Sequence, residues 1–178
     1  MNVEMIGQKF EQATRLLCEY MPLAETLIKP TLFHCIRVGV YLYHHNYSLD
    51  IIIAGIMHDA LEDTDISEEL LEKEFGLNVL RIVKANSVDE TITDFWENKQ
   101  ELISRCIENG EDSMIVKASD IFDSFNYYSQ LKSQKGLDFC IKISKIIFDK
   151  LPENFSDDIF NTLKNKLSEY AYIRKTSI

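Results

Sequence analysis

The stretch Ile53-Ala-Gly-Ile-Met-His58-Asp59-Ala-Leu-Glu62-Asp63-Thr64 places an adjacent histidine and aspartate at the end of an apolar run, with two further acids close behind. The apolar run predicts a buried helix. Burying a cluster of charged groups costs free energy unless a partner neutralises it, and a bound cation is the usual partner. Imidazole and carboxylate together suit a divalent ion such as Mn²⁺, Fe²⁺, Zn²⁺ or Mg²⁺. The stretch therefore predicts a metal site inside a helical core.

The composition is that of an ordinary globular chain of 178 residues, with 46% hydrophobic and 27% charged residues. This length favours one domain with a substantial core. Glycine (6) and proline (3) are scarce, which favours long helices over a turn-rich β fold. No stretch alternates between polar and apolar residues for long enough to predict a strand. We therefore expect a single all-α domain of about seven to eight helices, spanning residues 1–178.

The net charge of −10 argues against a nucleic-acid polymer as partner, because phosphate backbones are bound by clustered lysine and arginine. An anionic small molecule would need a metal and a few local cations. The four cysteines lack any paired motif, which is typical of reduced thiols in a cytoplasmic protein. The N-terminal residues lack a signal pattern, and no apolar run approaches the ~20 residues that span a bilayer. We expect a cytoplasmic protein without a membrane partner, and the sequence leaves its oligomeric state open.

Two further residues of metal-ligand type interrupt apolar helical stripes. His34 lies at the edge of such a stripe on the second predicted helix, and Asp120 interrupts a run that otherwise resembles core. Each also has an ordinary structural interpretation, as a hydrogen-bonded histidine and as an acid that pairs with Lys117 or caps a helix. Together with His58 and Asp59, they would make a site of two imidazoles and two carboxylates that leaves positions for water and substrate.

The order His34, His58-Asp59, Asp120, on three separate predicted helices, resembles the HD superfamily of metal-dependent phosphohydrolases. Within it, residues 58–64 are similar to the HD-x-x-EDT element of the RelA/SpoT-type hydrolases of (p)ppGpp, which include small metazoan SpoT homologues of about this length. An HD dipeptide alone is common, whereas the longer element with both outer ligands is quite specific. The resemblance implies an HD helical bundle that binds one divalent ion and a small-molecule nucleotide. The expected ion is Mn²⁺, with Fe²⁺ or Zn²⁺ as alternatives.

The resemblance covers about residues 28–128. Its other elements are Pro30-Thr-Leu-Phe-His34, Glu68 to Val83 around Phe75-Gly76, Glu97-x-Lys99, and Lys117-Ala-Ser-Asp120. Two features depart from the family. The basic, glycine-containing loop before the first ligand is replaced by residues 23–29 with a single cation, and Ser124 and Asn126 stand where the family has asparagine and arginine. The metal-binding elements are thus matched and those that hold the guanine nucleotide are not. The predicted helices over 137–172 lie beyond the resemblance and are expected to pack on the domain.

The resemblance gives catalytic roles to the two acids that follow the HD pair. Glu62 is expected to act as general base or to position water, with Asp63 as its partner. Glu62 lies about one helical turn after His58, close enough in sequence to reach water at the metal. Without the resemblance, spacing alone favours a solvated loop here. The expected substrate-binding residues are Lys117, Lys99 and Ser124, although a surface position for Lys117 is an equally good interpretation.

The sequence therefore predicts a metal-dependent phosphohydrolase that acts on a phosphate or pyrophosphate ester of a nucleotide. Its leading activity is 3′-pyrophosphohydrolysis of guanosine 3′,5′-bis(diphosphate). An HD-type 5′-nucleotidase or another phosphomonoesterase is the alternative among enzymes. The alternative from another class is a catalytically silent HD domain that senses a small molecule. The absence of any metal-ligating residue or catalytic acid from the sequence would have favoured it.

Overall fold

Long helices separated by short turns make up the part of the chain that the computed structural model describes, residues 3–21 and 29–176, with side chains as far as residue 170. The helices are α1 (Val3–Tyr20), α2 (Thr31–His44), α3 (Leu49–Met57), α4 (Ala60–Asp63), α5 (Glu68–Phe75), α6 (Leu77–Asn86), α7 (Phe95–Asn109), α8 (Glu111–Gln130), α9 (Gln134–Lys150) and α10 (Asp158–Thr176). No strand occurs in these ranges, so the all-α prediction is confirmed. The cation-poor stretch 23–29 lies, except for Lys29, outside the described residues.

Helix boundaries follow the capping residues of the sequence. The Ser48 hydroxyl accepts a hydrogen bond from the Ile51 N–H at 3.4 Å, and the Ser67 hydroxyl accepts one from the Leu70 N–H at 3.2 Å. Such bonds satisfy backbone donors that the start of a helix leaves unpaired. Gly76 has φ of 88°, a conformation that glycine adopts without steric cost, and it separates α5 from α6. Each of these residues is a local sequence signal for a helix end, and each stands at the end of an observed helix.

One predicted helix is divided in two. The apolar run that follows Ser48 predicts one helix over residues 49–60, but α3 ends three residues earlier, and Ala60–Asp63 form the separate short helix α4. Between them Asp59 has φ of −95° and ψ of 0°, outside the regular helical region. The Asp63 N–H donates to the Asp59 carbonyl at 2.9 Å, so the expected acidic loop begins as a helical turn. This division is one reason why the helices outnumber the seven to eight expected.

Helices α2 and α3 approach each other closely because each carries a glycine at their contact. A Cβ on Gly39 would stand 2.3 Å from the Ile56 side chain, and a Cβ on Gly55 would stand 2.3 Å from the Leu42 side chain. Both distances are far below ordinary van der Waals contact, so a larger residue fits only if the opposing side chain or the helices shift. The close approach brings the start of α2 beside the end of α3, where the candidate ligands lie.

Helix α8 occupies the centre of the structure and packs against α2, α3, α6, α7, α9 and α10. Phe125 is its largest fully buried side chain. Helix α9 buries Cys140, Ile143 and Ile147 against this core, so the C-terminal helices cover one side of α8. All four cysteines are free thiols. A search of the described helices for a segment long and apolar enough to cross a membrane finds none.

Candidate functional site

The four predicted metal ligands converge where α2, the α3–α4 junction and the middle of α8 meet. The ligand atoms of His34, His58 and Asp120 all lie within 4.8 Å of one another. Asp59 adjoins this group, with its Oδ1 3.2 Å from His58 Nε2. Both imidazoles are fully buried, and Asp120 keeps 8% of its surface exposed. Residues up to 86 positions apart thus form one compact cluster of two imidazoles and two carboxylates.

His58 is held in one tautomer by the helix that precedes it. Its Nδ1 lies 2.8 Å from the Gly55 carbonyl oxygen, which can only accept, so Nδ1 carries the proton and Nε2 carries the lone pair. This buried Nε2 has no hydrogen-bond partner among the residues that the structure describes. Burial lowers the pKa of His58, which favours the neutral ring. A neutral imidazole with an unpaired buried nitrogen fits a divalent cation, because metal-bound histidines usually donate their other ring N–H in this way.

His34 is oriented by a carboxylate that the sequence analysis did not identify. Its Nδ1 donates to Asp123 Oδ2 at 2.6 Å, and its Nε2 lies 3.0 Å from Asp120 Oδ1. Arg37 holds the same Asp123 carboxylate with two hydrogen bonds, of 2.8 and 2.7 Å. Burial alone would lower the pKa of His34, but the hydrogen bonds to Asp120 and Asp123 raise it. The two carboxylates thus favour positive charge at this position, and a metal ion bound by His34 would replace the proton on its Nε2.

A sequence signal for these two supporting residues did exist. Arg37 follows His34 by three positions, and Asp123 follows Asp120 by three positions. Residues three apart on a helix lie on the same face, so a partner at this spacing is a natural candidate to support a ligand. Which of several such residues makes the contact depends on how α2 packs against α8.

Asp120 is paired with Lys117 inside the protein. Lys117 Nζ donates to Asp120 Oδ2 at 3.1 Å, and the Ser124 hydroxyl donates to Asp120 Oδ1 at 3.4 Å. Burial would raise the pKa of Asp120, but the Lys117 ammonium holds it well below its usual range. Lys117 keeps only 8% of its surface, so it is a buried cation and not the surface lysine of the alternative interpretation. Asp120 therefore both pairs with Lys117 and faces the histidines.

The two candidate catalytic acids occupy different surroundings on α4. Glu62 Oε1 accepts the Val88 N–H at 2.8 Å, and Glu62 lines a cavity beside Asp59. Asp63 is hydrogen-bonded to the Thr31 side chain and is not among the described residues that line this cavity. Loss of hydration raises the pKa of both carboxyl groups, and the charge of Asp59 adds to the increase. The structure brings Glu62 to the cavity and leaves Asp63 against the start of α2.

The cavity beside the cluster has a volume of about 150 Å³. Its polar lining includes the ammonium-bearing residues Lys29, Lys99 and Lys117, so three cations meet in a protein of net charge −10. Lys29 Nζ donates to Ser124 Oγ at 3.1 Å and lies 4.0 Å from Asp120 Oδ1. All three predicted substrate-binding residues line this cavity. Three carboxylates, of Asp59, Glu62 and Asp120, share this lining, so an anionic ligand of phosphate size would be held jointly by the lysines and a bound divalent cation.

Apolar side chains complete the cavity, and two of them come from α9, where the sequence analysis found no chemistry. The apolar lining consists of Leu102, Ile103, Ile121, Tyr128, Phe139 and Ile143. A larger open groove of about 620 Å³ lies between α1 and α2 and contains none of the predicted site residues. The chemistry of the lining therefore identifies the smaller cavity as the candidate site.

Two curated relatives match half of this chain or more. A segment of 93 residues is 30% identical to guanosine-3′,5′-bis(diphosphate) 3′-pyrophosphohydrolase MESH1 of Mus musculus and covers 51% of each chain. A segment of 146 residues is 28% identical to guanosine-3′,5′-bis(diphosphate) 3′-pyrophosphohydrolase of Aquifex aeolicus, covering 81% of this chain and 20% of that one. The chain thus spans about half the length of the mouse relative and a fifth of the Aquifex relative.

The fold is shared with a solved structure described as a metazoan ortholog of SpoT that hydrolyzes ppGpp and plays a role in starvation responses. The two superpose with a TM-score of 0.72 over 91% of this chain and 95% of that one, at 22% identity. A family model described as HD domain matches residues 13–109, which include His34, His58 and Asp59. Because this match covers more than half of the sequence, the chain belongs to the HD domain family.

Proposed function

We propose that this protein is a metal-dependent phosphohydrolase that cleaves a phosphate or pyrophosphate ester of a nucleotide. The leading candidate activity is 3′-pyrophosphohydrolysis of guanosine 3′,5′-bis(diphosphate), the activity named for the mouse and Aquifex relatives. The observation that carries the proposal is the buried cluster of two histidines and two aspartates directly beside a small cavity with three lysines. Metal ligands supply the chemistry and lysines bind the phosphoryl oxygens.

The HD domain family implies a divalent metal ion, and the cluster around His58 offers suitable ligands. The residues that would hold the ion are His34, His58, Asp59 and Asp120. The unpaired His58 Nε2 supports this assignment. We infer that the ion is Mn²⁺, which accepts mixed imidazole and carboxylate ligands, as Fe²⁺ and Zn²⁺ also do. When bound, the ion supplies a Lewis acid that activates water and polarises a phosphoryl oxygen.

Glu62 is the proposed general base. Its Oε1 is anchored by the Val88 N–H, so its second carboxylate oxygen is available to accept a proton from the attacking water in the cavity. Asp63 serves as its partner by position: its hydrogen bond to Thr31 ties α4 to the start of α2 and thereby keeps Glu62 at the cavity. The role of Glu62 is thus to orient the water and take its proton, and the role of Asp63 is to support that orientation.

The three lysines are proposed to bind the phosphoryl oxygens of substrate and product. Lys117 is fixed by its contact with Asp120, and Lys29 is fixed by its contact with Ser124, so both ammonium groups are held in place before substrate binds. Cations positioned in this way stabilise the charge that develops on the leaving phosphate without further reorganisation. Lys99, from α7, adds a third positive charge from another wall of the cavity.

The proposal is tested by incubating the Mn²⁺-loaded protein with ppGpp, nucleoside triphosphates, deoxynucleoside monophosphates and NADPH, while measuring released pyrophosphate and phosphate separately. Pyrophosphate and GDP from ppGpp are the expected products. Phosphate released from monophosphates, with none of the 3′-pyrophosphorylated nucleotides consumed, would assign the protein to the nucleotidase alternative. If the protein retains its metal and leaves every compound intact, the silent sensing domain is correct instead.

A further inference from the structure

Three aromatic rings extend from the cavity wall to the surface at the contact of α7 and α9. Phe139 lines the cavity, and its ring centroid lies 6.1 Å from that of Trp96 and 6.2 Å from that of Phe95. Phe95 and Trp96 meet edge to face at 5.0 Å. Phe95, the first residue of α7, keeps 53% of its surface exposed. The rings thus form a continuous aromatic surface that begins in the cavity and ends in solvent.

The cavity itself holds only part of a nucleotide. Pockets that enclose a whole small ligand usually measure roughly 300–1,000 Å³, and this one measures about 150 Å³. Its three lysines select the phosphate part of a ligand for the interior. The nucleoside must then lie outside the entrance of the cavity, on the protein surface that adjoins its described lining.

The position of Lys99 connects the phosphate end of the cavity to the aromatic rings. Lys99 lines the cavity, and its Nζ lies 5.7 Å from the ring centroid of Phe95, one helical turn earlier on α7. Lys142 Nζ lies 3.6 Å from the centroid of Trp96 and covers one face of that ring. Lys99 lies over the Phe95 ring at the longer distance, so the ring surface that remains open is mainly the part of Phe95 that Lys99 leaves uncovered, next to a cation that can hold a phosphate. A turn of helix advances ~5.4 Å, a separation that a ribose can bridge.

We infer that Phe95 and Phe139 form a stacking surface for the base of a nucleotide whose phosphates occupy the lysine-lined cavity, with Trp96 packed behind them. This inference rests on the proposed function, since it takes the ligand to be a nucleotide. Bases stack on aromatic side chains through their π faces, which every base has, so the surface accepts guanine and adenine alike. Phe95 and Trp96 lie within residues 13–109, which the family model matches, whereas Phe139 lies beyond that segment, so the family match does not cover the whole surface.

The chain contains a built-in reporter for this contact, because Trp96 is its only tryptophan. Titrating the metal-loaded protein with GMP or AMP is expected to change tryptophan emission in a saturable way, whereas inorganic pyrophosphate binds without that change. Phe95→Ala and Phe139→Leu are expected to weaken nucleotide binding by roughly 5- to 150-fold, the usual range for loss of one base–aromatic stack. Pyrophosphate affinity, measured by calorimetry, should stay unchanged in both variants. Tyr43→Ala, at another partly exposed aromatic residue on α2, is the matched control and should leave nucleotide binding unaltered.

Phe95→Ala alters an exposed ring, so its folding is secure even if Phe139→Leu loosens the helix contact. The inference would be overturned if Phe95→Ala bound nucleotides as tightly as the parent protein. It would also be overturned if tryptophan emission did not change with either nucleotide at millimolar concentration. The rings would then serve only as packing between α7 and α9. The hydrolysis assay is independent of this result. If the nucleotides bind through the base but are not hydrolysed, the proposed reaction is wrong and the stacking surface stands. If they are hydrolysed and Phe95→Ala has no effect on binding, the stacking surface is wrong and the proposed reaction stands.

Discussion

The Asp123 carboxylate accepts a hydrogen bond of 2.6 Å from His34 Nδ1 and so turns His34 Nε2 toward Asp120. Asp123 is in turn held by two hydrogen bonds from Arg37. A carboxylate in this position fixes the ring orientation and tautomer of a histidine ligand and raises its basicity. We therefore expect Asp123 to act as a positioning residue for the proposed metal site, although it is not itself one of the proposed ligands.

Asp123→Asn is expected to weaken metal binding by about 10- to 100-fold, the usual effect of removing a carboxylate that supports a ligand histidine. The amide keeps the size of the side chain but lacks its charge, so the bonds from His34 and Arg37 both weaken. Calorimetric titration with Mn²⁺ measures the affinity. Asp149→Asn, at an exposed acid on α9, is the control. An unchanged metal affinity in Asp123→Asn would show that Asp123 serves only to anchor Arg37.

Elemental analysis of the metal-loaded protein is expected to give about one divalent ion per chain, because the proposed ligands form a single cluster. His58→Ala and Asp59→Ala should each lose the ion, since each removes a ligand atom from the centre of that cluster. His45→Ala, at an exposed histidine whose ring bonds to the Tyr41 carbonyl at the end of α2, should retain it. Stoichiometric metal in both of the first two variants would refute the site.

The close contact of α2 and α3 predicts opposite effects of the same substitution at two glycines. Gly55→Ala places a methyl group where the fully buried Leu42 side chain stands, and overpacking of this kind destabilises by ~1–3 kcal/mol. At Gly7, in α1, an added Cβ meets nothing within 4 Å, so Gly7→Ala should stabilise by up to ~1 kcal/mol through helix propensity. Urea unfolding measures both free energies. Equal stability of the two variants would mean that α2 and α3 can separate freely.

Local signals account for how much of the fold could be predicted from the sequence. Ser48, Ser67 and Gly76 act within a few residues of themselves, so the helix ends that they set were predictable. The break at His58-Asp59 was not, because an apolar run predicts a continuous helix up to Ala60 and nothing in its periodicity indicates a change of backbone conformation.

The candidate site shows more clearly which features the sequence could predict and which it could not. His34, His58, Asp59 and Asp120 could be predicted because polar residues in apolar stripes and the HD element identify them one by one. The contact of Arg37 with Asp123 joins residues 86 positions apart and depends on how α2 packs against α8. The contribution of Phe139 to the cavity depends likewise on the packing of α9, which carries no motif. Contacts between residues this far apart are set by tertiary packing, so the spacing of residues along the sequence indicates them only weakly.

Glu62→Gln is expected to keep the metal and the fold while lowering the hydrolysis rate by ~10²–10⁴-fold, the contribution of a positioned general base. Glutamine can still accept the Val88 N–H through its side-chain oxygen, so the loop contact is preserved and only the basic group is lost. Steady-state kinetics with the best substrate of the screen measure the effect, alongside metal content. Glu108→Gln, near the end of α7 and outside the cavity lining, is the control. Parental activity in Glu62→Gln would leave Glu62 as a structural residue of the α4 segment.

The last prediction concerns which base the protein prefers. In the described part of the cavity, the polar groups serve the phosphate end: Lys29 and Ser124 bond to each other, and Lys117 bonds to Asp120. Asp59, Glu62 and Lys99 are already assigned to the metal, the water and the phosphates, and the remaining described lining is apolar or aromatic, with few hydrogen-bond donors to read a base edge. A site built to hydrogen-bond one group can reject its analogue by 10⁴–10⁵-fold, whereas stacking is tolerant of base identity. We therefore expect hydrolysis of more than one nucleotide, with ppGpp among the substrates.

Comparing kcat/KM for ppGpp with that for its adenine counterpart measures this selectivity directly. A ratio within roughly a thousandfold agrees with recognition through phosphates and stacking, because the discrimination then falls well below that of a hydrogen-bonded pocket. A larger guanine preference would require donors and acceptors at the base edge, which the described lining does not supply. In that case the specific contacts would have to come from residues outside the described ranges, and the first candidates are those of the cation-poor stretch 23–28. Alanine substitutions in that stretch should then lower the guanine preference selectively.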